Sequence, residues 1–251
     1  MTSSRYEGPE TEEGHRERDR AEAGELPERY AEPWGQPFFA EARRALTPGA
    51  CILDVGAGRH PTLPAHARPA GGTYVGLDIS AAELRAAGAG AYDEIVATDI
   101  GQPRPEFAER FDLVLAWQVL EHVDSMERAL ATMHTYLKPG GIMVAQVSGS
   151  FAVFALLARV IPYSLSNRLM QHLLGTAAED KFPTRYDRCY ASALEPLLDR
   201  WSDHRIVPRY KGAGYLRFSR RLERGYLSYE DWIARTGRRN LATHYVICGT
   251  K

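Results

Sequence analysis

An α/β domain built on a parallel sheet with helices on both faces is what the 251-residue sequence predicts, and three observations predict it. Short apolar runs alternate with helix-like segments, a Gly-x-Gly turn follows the first run, and aspartates stand at or just past the ends of three successive runs. Such alternation builds strand–helix–strand units whose sheets are covered on both sides. The length suits one large domain with a full core, because two would each be small.

Residues 30–46 open with turn formers (YAEPWGQ) and then place Phe38, Phe39, Ala42 and Leu46 at helical spacing, so a helix leads into the domain. Thr47-Pro48-Gly49 breaks it. Strands are predicted at 51–55, 73–77, 94–97, 111–117 and 142–147, with the clearer helices at 81–87 and 119–137. Lys138-Pro139-Gly140-Gly141 stops the second of these. Beyond it, 151–175 reads as two apolar helices joined at Pro162, 190–201 as an amphipathic helix, and 205–210 and 243–249 as closing strands around a basic insertion at 212–240. The organisation expected is an acidic, disordered tail at 1–27 and a single domain over 28–251, with a further insertion at 150–190.

A composition of 44% hydrophobic and 25% charged residues with a net charge of -1 gives no chain-wide attraction to nucleic acid or anionic lipid. The distribution of charge says more. Residues 1–25 hold eight acids against four arginines, whereas 205–239 hold ten Lys or Arg against three acids. Cys51, Cys189 and Cys248 lie far apart without C-x-x-C spacing, so no metal site or disulfide framework is expected. The N-terminus lacks the apolar core of a secretory signal, and no run approaches the roughly 18 apolar residues of a membrane span. A reduced, cytoplasmic setting is therefore expected.

The stretch CILDVGAGRHP carries the glycine turn, but Pro61 stands where a dinucleotide fingerprint wants its third glycine. Asp54, Asp78 and Asp99 follow or end the first three strands, and the carboxyl ends of parallel strands line one crevice. Carboxylates there would repel a pyrophosphate, whereas a sulfonium nucleoside is cationic and free of phosphate. A carboxylate at Asp78 can accept from both ribose hydroxyls, and one at Asp99 from an adenine amino group. The set fits S-adenosylmethionine better than NAD.

ILDVGAG, GLDIS, ATDI, FDLVLAWQVLEHV and LKPGGIMVAQV, in this order over about residues 50–148, resemble the successive motifs of class I S-adenosylmethionine-dependent methyltransferases, in the generic methyltransferase-domain branch with an LEHV signature. The resemblance implies a Rossmann-like, seven-stranded, mostly parallel sheet with an antiparallel last strand and a helical lid after the fifth strand. It implies that Gly56 and Gly58 approach the methionine part of the cofactor, Asp78 with Ile79 beside it the ribose, and Asp99 with the Ile100 amide the adenine. The backbone at Trp117 and Gln118 would face the methionine. Asp54 would either meet the amino group or order the turn. The proline-broken RHPTLPAH after the turn departs from the family's clean helix, so Arg59 or His60 points into the cofactor entrance or stands in a solvated loop.

Methyl transfer is an in-line displacement at an activated carbon, and a base is needed only when the acceptor carries a proton. His122, with its near-neutral ordinary pKa, is the candidate base, flanked by Glu121 and Asp124 at the mouth of the crevice. Helix-dipole roles for the two acids and a packing role for His122 are the plainer alternatives. Within FPTRYDRCY, Tyr186 joins the catalytic candidates, and Asp180, Lys181, Arg185 and Arg188 could orient an oxygen-rich or anionic acceptor or form an ordinary surface loop. The apolar run before them reads as a lid, with peripheral membrane contact as the alternative. Arg217, Arg220, Arg221 and Arg224, with Tyr210, Tyr215 and Phe218, raise RNA as an acceptor, but no recognised RNA-binding module accompanies them. The reading is an enzyme that moves a methyl group from S-adenosylmethionine to oxygen on a small-molecule, lipid-linked or glycan-linked acceptor. An RNA methyltransferase and a non-catalytic S-adenosylmethionine-binding protein are the alternatives. Alanine and arginine richness adds a high-GC bacterial source and specialised metabolism as a prior.

Overall fold

The computed structural model describes residues 12–152, 155–156 and 184–251. Seven strands form one sheet: β1 (Cys51–Val55), β2 (Thr73–Asp78), β3 (Glu94–Ala97), β4 (Phe111–Trp117), β5 (Leu137–Ser148), β6 (Asp203–Arg209) and β7 (His244–Thr250). Their order is β3-β2-β1-β4-β5-β7-β6. The pairs among β1 to β5 are parallel, and β7 runs antiparallel to both neighbours. The antiparallel last strand expected from the resemblance is present. Its direction brings Thr243 and His244 to the same edge as the carboxyl ends of β4 and β5, with Ser148, His244 and Arg209 in one register row.

Both faces are dry, as continuous apolar strands require. One face packs Phe38 and Phe39 of α2 (Gln36–Ala42) against Ile52, Leu113, Leu115, Val144 and Val246. The other packs Leu130, Met133 and Tyr136 of α4 (Met126–Tyr136) against Leu53, Val114 and Ala145. A short α3 (Ala81–Ala86) begins at Ser80, whose hydroxyl accepts from the Glu83 amide.

Several elements differ from expectation for local reasons. The helix expected over 119–137 begins at Met126, because Leu120–His122 forms a 3-10 turn and Ser125 caps the next amides through Arg128 N. β5 starts at Leu137 rather than 142. Its proline–glycine stretch stays in the sheet because Lys138 Nζ binds Asp112 at 2.7 Å and Gly140 N binds the Lys251 carbonyl at 3.0 Å. The helix expected over 190–201 is α5 (Ala191–Leu194) followed by a 3-10 turn at Pro196, whose missing amide prevents a longer α-helix. The basic insertion holds a helix, α6 (Arg220–Arg235), which buries Glu223, Tyr226, Glu230 and Ile233 along one stripe. The apolar run at 151–175, Asp180 and Lys181 fall largely or wholly outside the described residues.

The acidic tail, expected to be disordered through residue 27, is helical over α1 (Glu12–Glu22) and fastened to α6. Arg20 pairs with Glu223 at 2.8 and 3.1 Å, and Arg29 reaches Glu230 and Asp231 at 3.1 and 2.5 Å. The Tyr30 hydroxyl donates to buried Glu230 Oε2 at 2.6 Å and accepts from Ala213 N at 3.0 Å. Hydrogen bonds to a buried charged group are strong, so Tyr30→Phe should lower stability by about 1.5–3 kcal/mol in urea denaturation. A loss under about 0.5 kcal/mol would show that water replaces the hydroxyl.

Candidate active site

The turn after β1 is shaped by what its glycines leave out. Gly56 donates to the Leu77 carbonyl at 2.7 Å with φ +69, and a Cβ there would lie 2.2 Å from Val119 Cγ2. Only glycine lets the loop after β1 touch the loop after β4. Gly58, at φ +51, donates to Asp78 Oδ2 at 3.1 Å, and Ser80 N donates to Oδ1 at 2.8 Å. Burial lifts the Asp78 carboxyl above the ordinary aspartate value, with those amides pulling the other way. Beside it Ile79 is 61% exposed, a large apolar side chain open at the strand end. After β3, Asp99 Oδ1 accepts from Gly101 N at 2.8 Å, and Ile100 is buried.

Asp54 is engaged by the loop that follows β1. Fully buried, it accepts from Thr62 N at 2.8 Å, Thr62 Oγ1 at 2.7 Å and the Tyr74 hydroxyl at 2.5 Å, pinning the proline-broken loop to β1. Arg59 and His60 are exposed, and Arg59 is tied to Glu83 at 2.6 and 2.7 Å, which matches the solvated reading of that loop. Burial pushes the Asp54 carboxyl from 3.8 up to about 6. A carboxyl that holds its proton more tightly in the fold than in the unfolded chain stabilises the fold fully below pH about 4. That contribution is lost as pH rises through about 6. The stability of the wild type relative to Asp54→Asn should therefore fall between pH 4 and 7 in denaturant titrations, and a rise across that window would refute the assignment.

The turn after β4 carries the catalytic candidates. Trp117 points to the α2 face, stacked on Phe39 at 5.6 Å and edge-on to Phe38 at 4.9 Å, so its backbone, not its ring, stands at the crevice. Gln118 has φ 52 and donates to the Gln146 carbonyl at 2.8 Å, a left-handed residue held by its neighbour strand. His122 is half-buried at the end of the 3-10 turn. Glu121 is turned inward: Oε1 accepts from Ser148 N at 3.2 Å and Ser148 Oγ at 2.8 Å, and burial lifts its carboxyl above the ordinary glutamate value. The Glu121 carbonyl accepts from Arg185 N at 2.8 Å and Tyr186 N at 3.0 Å. Tyr186 is buried against the α4-side core, with φ 53 and its carbonyl on Ser150 Oγ. Asp124 and Arg185 form an exposed pair at 2.6 Å, Arg188 pairs with Glu127, and Asp187 caps α4 through Met126 N.

Chemically the crevice suits a cation. Asp78 and Asp99 stand at adjoining strand ends, and the arginine of the glycine turn is engaged by Glu83. Among the described residues no cluster of His, Cys, Asp and Glu could hold a metal ion, and no helix is long and apolar enough to cross a membrane. The sequence profile of the family described as "Methyltransferase domain" matches residues 23–188. The chain belongs to that family. It is an S-adenosylmethionine-dependent methyltransferase, by the family match, with the class I strand order.

Relatives agree. The methyltransferase is 30% identical over 187 residues to "Ubiquinone biosynthesis O-methyltransferase" of Chelativorans sp., covering 66% of this chain and 72% of that protein. It is 37% identical over 113 residues to the protein of the same name from Methylobacterium nodulans, covering 43% and 45%. In three dimensions it is similar to Haemonchus contortus phosphoethanolamine N-methyltransferase 2 in complex with S-adenosyl-L-methionine, with TM-score 0.53 and 16% identity. That alignment covers 88% of this methyltransferase but about half (53%) of the larger chain, and it speaks to the fold alone.

Tyr74, Tyr92, Ser148 and Trp34 were not singled out from the sequence. Tyr92 stacks on Tyr74 at 5.8 Å and donates to the carbonyls of Ala57 and Gly58, bracing the turn from outside; Gly76 is glycine because the Tyr92 ring fills its Cβ position. The glycine inside the strand-like run YVGLD was the available signal, since a strand glycine often marks a close approach. For Ser148 and Trp34 there was none, since their partners lie 27 and about 200 residues away.

Proposed function

We propose that this methyltransferase methylates a hydroxyl of a small or lipid-linked molecule, with His122 as the general base. The observation that carries the reading is the turn Leu120–His122. Glu121 is locked inward by Ser148, which fixes the backbone on which half-buried His122 stands at the carboxyl end of β4. That the relatives are named O-methyltransferases supports oxygen as the acceptor atom. Glu121 is then a positioning residue. Through its carbonyl it also holds Tyr186, whose ring packs in the core, so Tyr186 acts through its backbone.

Asp78 would accept from the ribose hydroxyls and Ile79 would lie against the nucleoside. Asp99 and the Ile100 amide would meet the adenine, and the backbone of Gly56, Gly58, Trp117 and Gln118 the methionine part. Asp54 would serve indirectly, by ordering the turn. Bound there, S-adenosylmethionine supplies a methyl carbon already activated on a sulfonium. The chain's own task is to align the acceptor oxygen and take its proton at His122 Nδ1 or Nε2. The test is incubation of the full chain with isotopically labelled S-adenosylmethionine and pools of phenols, alcohols, amines and RNA. Label recovered on oxygen with release of S-adenosylhomocysteine is expected. Label recovered on nitrogen or on RNA would overturn the proposal.

A further inference from the structure

Helix α6 carries two stripes, and the fold buries one of them. Glu223, Tyr226, Glu230 and Ile233 are the buried side chains. Each stands one residue after a member of a second stripe, Leu222, Gly225, Tyr229 and Trp232, which lies about 100° round the helix. Leu222 is 50% and Trp232 42% exposed, and a side chain at Gly225 would meet nothing within 4 Å. Phe218, four residues before Leu222, is 52% exposed, and Tyr215 in the 3-10 turn Ala213–Leu216 is exposed as well. Arg221 and Arg224, both exposed, each precede a member of the second stripe by one residue and so flank it on the solvent side. Arg238 lies over the Trp232 ring at 4.6 Å. The three acids of α6 are engaged by the start of the chain, Glu223 by Arg20, and Glu230 and Asp231 by Arg29. The outer shoulder of the helix is therefore apolar and cationic together.

We propose that this shoulder of α6 docks on an anionic phospholipid surface, with Phe218, Leu222 and Trp232 entering the headgroup layer and Arg221 and Arg224 meeting lipid phosphates. Exposed apolar side chains gathered in one patch mark a surface made to be covered. An apolar stripe rimmed by arginines suits the interface of a bilayer, where aromatic rings sit at headgroup depth and long cationic side chains reach outward to phosphate. A second copy of this chain fits less well, because pairing the face with itself sets arginine against arginine. Nucleic acid would engage the arginines and the rings, but it gives Leu222, between Phe218 and Trp232, nothing apolar to enter. The helix is firmly mounted. Gly212 N donates to Glu230 Oε1 at 2.6 Å, and Gly212 is so close to Thr243 and Tyr226 that a Cβ would clash with both. Docking through α6 thus orients the whole domain through Thr243, at the carboxyl edge of the sheet. The inference concerns where the enzyme works and does not rest on the acceptor proposed above.

Sedimentation of the full chain with lipid vesicles tests the docking. Vesicles of equal parts phosphatidylcholine and phosphatidylglycerol are expected to bind at least about tenfold more tightly than phosphatidylcholine alone, by a margin that shrinks as salt rises. Arg221→Gln combined with Arg224→Gln should weaken that binding by about tenfold or more, since each cationic side chain near an anionic surface contributes several-fold. Gly225→Glu puts a negative charge into the stripe where a side chain has open space. It should abolish co-sedimentation while the unfolding temperature does not fall, because glycine inside a helix is itself destabilising. No binding to the anionic vesicles, or equal binding by the wild type and Gly225→Glu, would overturn the proposal, the second result by placing the contact elsewhere on the molecule. A dimer that Gly225→Glu dissociates in sedimentation velocity, or tighter binding of single-stranded RNA than of vesicles, would overturn it in favour of those partners. Labelled methyl on the oxygen of a soluble acceptor is read without vesicles, so the proposed methyl transfer stands or falls separately.

Discussion

Gly56→Ala is expected to abolish measurable S-adenosylmethionine binding at micromolar concentration and to destabilise the fold by about 3 kcal/mol. Two costs add. The residue sits at φ +69, where an L side chain costs about 1–2 kcal/mol, and its new Cβ would meet Val119 Cγ2 at 2.2 Å and Val119 Cβ at 2.6 Å. Neither atom can withdraw without moving the turn after β4, which carries Gln118 and His122. The collision therefore reaches the cofactor end and the acceptor end together. Combining Gly56→Ala with Val119→Gly should recover the part of the stability lost to the clash and leave the part due to φ. Calorimetry for binding and urea denaturation for stability check both halves. Wild-type affinity in Gly56→Ala would show that the glycine turn does not approach the ligand.

His122→Ala should lower kcat by about 100-fold or more with the true acceptor, because removing a general base typically costs that much. The dissociation constant for S-adenosylmethionine should stay unchanged. Glu121→Gln should cost less than His122→Ala, since the amide oxygen can still accept from Ser148 N and Ser148 Oγ and keep the turn in place. A loss within a factor of about two for His122→Ala would remove the base from the mechanism and leave alignment as the whole of the catalysis.

How far the sequence foretold this molecule depends on the range of each interaction. β1, β3 and β4 were placed to the residue, because short apolar runs ending in turn residues are local signals. Asp78 and Asp99 were legible as residues at adjoining strand ends, since consecutive parallel strands bring their ends to one edge. The start of α4 was misplaced by seven residues. The stretch 119–123 (VLEHV) reads as the start of a helix until the Ser125 cap is seen to do its work. Asp54 was legible as a strand-end carboxylate, but its three bonds to Thr62 and Tyr74 were not, because Tyr74 comes from the next strand. Hardest to see were the segment 12–34 and α6, whose surface charges look solvated in the sequence but are paired with each other across about 200 residues.

Those pairings bear on how the protein is made. Arg20 with Glu223 and Tyr30 with Glu230 close loops of 203 and 200 residues, among the costliest closures in loop entropy of the contacts described above. During synthesis β1 to β5 can form before α6 leaves the ribosome, but residues 20–36 cannot lock down until it does. The start of the chain is thus held in waiting for its end, and the packing of Trp34 against His244 is among the last contacts of the fold to form.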